Sequence, residues 1–196
     1  MLAKADMKVD VVASELAKYG ARISIDTMRA STAEAAIKAG ASIINDVSGG
    51  LADPEMLQTA ARLGVPYIAM HWRGQSKDMN SKAIYNDVVI DVISELQERI
   101  TAALDAGIEV GNLIIDPGLG FAKDAEHNWE IIDSIDSFVD LGYPVLVGAS
   151  RKRFLGGDSP DEREQATIDL TKRLATTGVW AVRVHSVKPH KEVLAQ

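Results

Sequence analysis

The chain has 196 residues, a net charge of -7 and no cysteine. This length suits a single domain, which we expect to span residues 1–196 around one buried core. The negative charge disfavours nonspecific binding to nucleic acid or to an anionic membrane surface, and the lack of cysteine excludes disulfides and thiolate metal sites. No apolar stretch approaches the roughly 20 residues that span a bilayer. We therefore expect a cytoplasmic protein without a nucleic-acid or membrane partner.

Helices and strands are predicted to alternate along the whole chain. Hydrophobic spacing and glycine stops predict helices over residues 1–19, 55–63, 88–106 and 127–141. A further helix is predicted from a cap at Ser31 or Thr32 to Gly40. Two more are predicted near the end of the chain, one ending near Thr176 and a short C-terminal one. Short aliphatic runs predict strands at 23–26, 43–46, 66–70, 113–116, 145–147 and 181–185.

This alternation is typical of a parallel sheet with helical crossovers, so the sequence indicates an α/β fold. Either an open doubly wound sheet or a barrel fits the pattern. A GxGxxG turn after the first strand is missing, which disfavours the open sheet.

Polar side chains lie at or just after the carboxyl end of every predicted strand. They are Asp26, Asn45 with Asp46, His71, Asp116, Ser150 with Lys152, and Arg183 with His185. One acid at such a junction is readily explained by helix capping or a turn. A polar group after each strand instead indicates a ligand site, because ligands of α/β folds bind at the carboxyl ends of parallel strands.

The residue types indicate the chemistry of the ligand. Carboxylates and an amide can pair with the amino-amide edge of a heterocycle, and Lys152 can donate to a ring carbonyl or an anion. Arg183 and His185 alternate along the last predicted strand and would point to one side, which suits a phosphate or diphosphate. We expect a polar heterocycle carrying an anionic leaving group. Acid–base catalysis by His185 is a less favoured alternative.

Several motifs carry a resemblance to a known enzyme family. They are SIDTMRA, IINDVSGG, MHWRG, LIIDPGLGFAK, VLVGASRKRF and VRVH, in this order between about Lys8 and Val187. With them the chain closely resembles the dihydropteroate synthases of folate biosynthesis. The resemblance implies a (β/α)8 barrel and a homodimeric transferase. Its reaction would condense 6-hydroxymethyl-7,8-dihydropterin diphosphate with para-aminobenzoate to 7,8-dihydropteroate and diphosphate.

The resemblance also implies roles for individual residues. The pterin pocket would contain Asp26, Asn45, Met70, Asp116 and Lys152. The diphosphate would bind Arg183 and His185, and para-aminobenzoate would lie against Phe121 and Ser150, with Lys152 at the border. Asp26, Asp116 and Lys152 would be the catalytic residues. Magnesium is expected with the substrate diphosphate, whereas no residue of this chain is expected to bind it, because the family's asparagine ligand is absent.

The sequence departs from the family pattern at its beginning. It lacks the NxTPDSFSDGG and GGESTRPG segments with which that pattern opens. The resemblance therefore implies an incomplete barrel of about six parallel strands without the first two βα units, and a chain that has little or no synthase activity alone. Two alternatives stay open: a methyltetrahydrofolate-type pterin methyltransferase domain, which has no need of SRK followed by RVH, and a non-catalytic pterin-binding remnant.

Overall fold

The computed structural model of the protein describes residues 6–75 and 77–195. The start of the predicted first helix, before Asp6, lies outside the described residues. Contacts divide the chain into two compact units. The first unit is Met1–Met70 with Leu96–Ile114, and the second unit is His71–Glu95 with Ile115–Gln196. The single domain over 1–196 stays a prediction.

Strands and helices alternate as the sequence predicts. The strands are β1 (Ser24–Asp26), β2 (Ile43–Asp46), β3 (Tyr67–Met70), β4 (Leu113–Asp116), β5 (Leu146–Val147) and β6 (Ala181–Val182). The helices are α1 (Asp6–Ala17), α2 (Ala30–Lys38), α3 (Met56–Leu63), α4 (Val88–Asp105), α5 (Ala125–Asp133), α6 (Ile135–Val139), α7 (Glu164–Leu174) and α8 (Val187–Leu194). No helix in the described part of the chain combines the length and apolar character needed to cross a bilayer.

The first unit is built on a parallel sheet in the order β1-β2-β3, followed by β4, whose residues Leu113 and Ile114 belong to this unit. Ile44 and Tyr67 are register partners and are fully buried, so they form the centre of its core. The buried runs explain why these segments form strands: β-branched and aromatic residues pack well on a pleated surface covered by helices.

The second unit contains the parallel pair β5-β6 and an isolated parallel bridge between Ile115 and Val145. Its helix α5 begins with a capping box, in which the Asp124 carboxylate accepts the backbone N–H of His127. Within residues 6–75 and 77–195 the six strands form parallel pairs and do not close a barrel, as expected for an incomplete member of the (β/α)8 class.

Three predicted boundaries are wrong. Helix α2 begins at Ala30, before Ser31 and Thr32, and its first N–H donates to the Asp53 carboxylate at 2.8 Å. The helix predicted over 127–141 is two helices separated at Ser134, whose backbone leaves the helical conformation with φ of -107° and ψ of 23°. The last strand ends at Val182, because its partner β5 offers only two residues for pairing.

Candidate functional site

In the first unit, Asp26 and Asn45 form a hydrogen-bonded pair at the carboxyl ends of β1 and β2. They are register partners, and Asn45 Nδ2 donates to Asp26 Oδ2 at 3.0 Å. Asn45 is only 4% exposed, and its Oδ1 is buried without a hydrogen-bond partner among the described residues. Such an acceptor costs about 1–3 kcal/mol, which a ligand N–H would remove. The pair is therefore suited to bind the N–H edge of a heterocycle.

Asp46, the next residue of β2, has a structural role instead. Its carboxylate accepts hydrogen bonds from Ser48, from the backbone of Gly50 and from the Tyr67 hydroxyl at 2.8 Å. Burial and the nearby Asp46 carboxylate raise the pKa of Tyr67 well above its usual value, so the phenol remains a donor. Met70 is fully buried at the end of β3, and its predicted contact with a pterin stays a prediction.

In the second unit, Asp116 is a buried carboxylate among cations. It is 2% exposed, and its Oδ1 accepts the Gly118 N–H at 2.8 Å. Burial raises its pKa, while Lys152, the Gly118 N–H and Arg183 act in the opposite direction. A Cβ atom at Gly148 would lie 3.4 Å from the Arg183 guanidinium and 3.7 Å from Asp116 Oδ2. The glycine thus leaves open the space that faces both charged groups.

Lys152 connects this carboxylate to the GLGF turn. Burial lowers its pKa to about 8, although Asp116 raises it. Its ammonium group donates to the Leu119 carbonyl and lies 4.5 Å from the centroid of the Phe121 ring. A Cβ atom at Gly120, where φ is +73°, would come within 2.6 Å of Lys152 Cδ, so the turn is shaped to the lysine stem.

Arg183 and His185 line the same cavity, although they lie beyond the end of β6 and do not alternate along a strand as predicted. The cavity has a volume of about 370 Å³, and Gly148, Ser150, Lys152 and Val184 complete its lining. Ser150 Oγ lies 2.9 Å from His185 Nδ1 and accepts the His185 backbone N–H at 3.2 Å. A histidine oriented in this way presents Nε2 as a possible donor.

Phe121 lines a different cavity of about 640 Å³, which it shares with Lys152. Lys152 therefore borders both this cavity and the one lined by Arg183 and His185, and its predicted position at the border of two substrates stays a prediction. Ser150 belongs to the cavity of His185 and is not in the lining around Phe121. Its predicted contact with para-aminobenzoate stays a prediction.

A further buried group was not assigned from the sequence. His71 Nε2 lies 2.9 Å from Glu95 Oε2, and His71 Nδ1 lies 2.8 Å from Lys123 Nζ. The sequence places His71 at the end of a predicted strand and indicates no partner for it. Lys123 closes the LIIDPGLGFAK motif, a signal that could have indicated a role, whereas Glu95 lies on an amphipathic helix and carries no such signal.

The described residues contain no group of three or more Asp, Glu or His side chains placed to hold a metal ion. That no residue of this chain binds magnesium stays a prediction. Magnesium brought by a substrate diphosphate stays a prediction.

The parallel strands define an α/β protein. The acceptor pair of the first unit is suited to a polar small molecule, and the buried carboxylate with cations of the second unit is suited to one that also carries an anion. The sequence pattern of the family described as "Pterin binding enzyme" matches residues 4–185. The chain belongs to this family.

Comparison with individual proteins agrees with the family. The dihydropteroate synthase of Mycobacterium leprae is 46% identical over 193 residues, which cover 93% of this chain and 68% of that protein. The Thermus thermophilus dihydropteroate synthase in complex with 4-aminobenzoate superimposes with a TM-score of 0.92 at 36% identity, covering 100% of this chain and 77% of the other. The Xanthomonas albilineans enzyme in complex with 7,8-dihydropteroate gives a TM-score of 0.87 at 34% identity, covering 95% and 70%.

Proposed function

We propose that this chain carries the substrate-binding centre of a dihydropteroate synthase in folate biosynthesis. One observation carries the proposal: the buried carboxylate of Asp116 lies among Lys152 and Arg183, beside a cavity of about 370 Å³ that Arg183 and His185 line. This arrangement offers a carboxylate to a heterocycle and cations to a diphosphate. The complexes of related synthases with 4-aminobenzoate and with 7,8-dihydropteroate support the same substrates here.

The proposed reaction is a substitution at the pterin methylene carbon. The bond between this carbon and the diphosphate oxygen breaks, and the electron pair leaves with the diphosphate. Arg183 and His185 would stabilise the departing anion, and the charge of Asp116 would stabilise the pterin cation that is left. The amine nitrogen of para-aminobenzoate then uses its lone pair to form the new C–N bond and releases a proton.

The roles of the other predicted residues follow from their surroundings in each unit. Asp26 and the unsatisfied Oδ1 of Asn45 would accept N–H groups of the pterin. Phe121 would pack against the arylamine ring, because it lines the larger cavity of the second unit beside Lys152. A homodimer and a cytoplasmic location remain part of the proposal through the family resemblance, and sedimentation analysis would test the former.

Titration calorimetry tests the proposed ligand. The chain is titrated with 6-hydroxymethyl-7,8-dihydropterin diphosphate and, as the matched comparison, with methyltetrahydrofolate. We expect saturable binding of the diphosphate ester and weaker binding of the folate, since the latter offers no anion to Arg183 and His185. Preference for methyltetrahydrofolate would favour the methyltransferase alternative. Adding para-aminobenzoate then separates a synthase, which forms dihydropteroate, from a non-catalytic pterin-binding remnant, which does not.

A further inference from the structure

Lys123 is a buried lysine for which the proposed reaction has no use. It is 8% exposed, and its Nζ lies 2.8 Å from His71 Nδ1 and 3.2 Å from the carbonyl oxygens of both Gly118 and Phe121. Burial lowers its pKa to about 7, although Asp116 raises it. Three acceptors match the three N–H donors of an ammonium group, so the charged form is fully hydrogen-bonded here.

His71 connects Glu95 to Lys123 through hydrogen bonds. His71 is 1% exposed, and burial together with the Lys123 cation lowers its pKa to about 4, so the ring is neutral. Its Nε2–H donates to Glu95 at 2.9 Å, which leaves Nδ1 as the acceptor for Lys123. Burial raises the pKa of Glu95, but hydrogen bonds from His71 and Arg73 lower it to about 2, so the carboxylate is ionised.

The segment that Lys123 holds is the turn 118–123. Two acceptors of the lysine, the carbonyls of Gly118 and Phe121, belong to this turn. Its residue Ala122 has a φ of +48°, which is a left-handed conformation. This conformation is unfavourable for any residue with a Cβ atom and persists only where neighbouring groups stabilise it. The Tyr85 hydroxyl, which donates to the Ala122 carbonyl at 2.9 Å, is a second such neighbour.

The same turn presents the groups that contact Lys152. Its Leu119 carbonyl accepts from the Lys152 ammonium, and its Phe121 ring lies under that ammonium at 4.5 Å. A displacement of the turn would therefore change both the ring that faces the larger cavity and the lysine that borders it.

We propose that Lys123, held by Glu95 through His71, is a positioning residue for the arylamine substrate: it fixes the turn 118–123 so that Phe121 packs against Lys152. The inference rests on the proposed function, because the arylamine site is part of it. It adds the buried residues His71 and Lys123 and the partly exposed Glu95 to the residues that shape the site, and Lys123 also lines the larger cavity beside Phe121.

Amide hydrogen exchange tests the positioning without any ligand. In Lys123→Met, we expect the Phe121 N–H, which donates to Gly118 O at 3.1 Å, to exchange at least about tenfold faster. Glu95→Gln, which keeps the side-chain shape, should give a smaller increase in the same turn and serves if Lys123→Met folds poorly. Lys172→Met on exposed Lys172 is the matched control and should change nothing in this turn. Unchanged exchange at 118–123 in both network variants overturns the inference.

Ligand titration separates positioning from general destabilisation. Lys123→Met and Glu95→Gln should weaken binding of 4-aminobenzoate by about tenfold or more, because both Phe121 and Lys152 are displaced, whereas the affinity for dihydropterin diphosphate, to which only Lys152 of this pair contributes, should fall by clearly less. An equal loss of both affinities contradicts the inference. If the unsubstituted chain binds neither substrate, the proposed function fails, and the exchange measurement still decides whether Lys123 fixes the turn.

Discussion

Ser150 Oγ lies 2.9 Å from Nδ1 of His185 and accepts the His185 backbone N–H at 3.2 Å. The serine therefore holds both the backbone and the imidazole ring of a residue that lies outside any strand. The sequence predicted the orientation of His185 from alternation along a strand, whereas the structure shows that its contact with Ser150 orients it. The same contact places Ser150 at the proposed diphosphate site.

Replacing Ser150 should weaken binding of the leaving group. In Ser150→Ala the imidazole loses a hydrogen bond worth about 1 kcal/mol, so we expect a roughly three- to tenfold lower affinity for pyrophosphate by calorimetry. Ser137→Ala, at an exposed serine of α6, is the control. An unchanged pyrophosphate affinity with weaker para-aminobenzoate binding would return Ser150 to the role that the family resemblance implies.

Gly120→Ala should displace Lys152. The new Cβ atom would lie 2.6 Å from Lys152 Cδ, so the side chain must move. Gly142→Ala is a matched control, because Gly142 has a similar φ of +83° and nothing within 4 Å of the added atom. Both variants should lose about 1–2 kcal/mol of unfolding free energy from left-handed strain. The affinity for dihydropterin diphosphate should fall about tenfold only in Gly120→Ala; equal affinities in the two variants would speak against the role of Lys152.

Asn45→Leu should weaken pterin binding without lowering the stability of the fold. The substitution removes the hydrogen bond from Nδ2 to Asp26, but it also removes Oδ1, which is buried without a partner among the described residues. Because these two effects offset each other, the unfolding free energy should change by less than about 1 kcal/mol. The affinity for the pterin should nevertheless fall by about tenfold, as measured by fluorescence titration. Asn112→Leu, which removes an amide donating to Gly64 O at 3.3 Å in the same unit, should leave that affinity unchanged. Tight pterin binding by Asn45→Leu would exclude this residue from the pocket.

Pyrophosphate binding should weaken in alkaline solution. Burial lowers the pKa of Lys152 to about 8, against the effect of Asp116. Below that pH the lysine is protonated and attracts the anion; as the pH rises through about 8, the free protein loses this charge and its affinity falls. The affinities of the unsubstituted chain and of Lys152→Met are measured by calorimetry across this pH range. Their ratio removes the effect of pH on the charge of pyrophosphate itself. A ratio that does not change with pH would contradict a role of the Lys152 charge in pyrophosphate binding.

The strands could be predicted because their signal is local. The runs 43–46 and 113–116 are aliphatic, end in an acid, and coincide with β2 and β4. The end of the last strand could not be predicted in the same way. It depends on how many residues β5 offers for pairing, and β5 is 35 residues away from β6 in the sequence.

The candidate site was predictable where a residue lies at the carboxyl end of a strand, as Asp116 and Asn45 do. Contacts between distant segments were not predictable. Asp53 receives the first N–H of α2 from 23 residues away, and the partners of His71 are 24 and 52 residues from it. No periodicity connects such positions, because the fold alone brings them together.

The most direct test of the proposed site is the affinity of Asp116→Asn for 6-hydroxymethyl-7,8-dihydropterin diphosphate, measured by calorimetry beside Asp133→Asn. Asp133 is an exposed acid that pairs with Arg173 at 2.8 Å, so its substitution controls for the loss of a charge. Hydrogen bonds to a charged group contribute about 1.5–3 kcal/mol, so we predict an affinity lower by about 10- to 100-fold in Asp116→Asn and no change in Asp133→Asn. An Asp116→Asn protein that folds and binds the ligand as tightly as the unsubstituted chain would contradict the account.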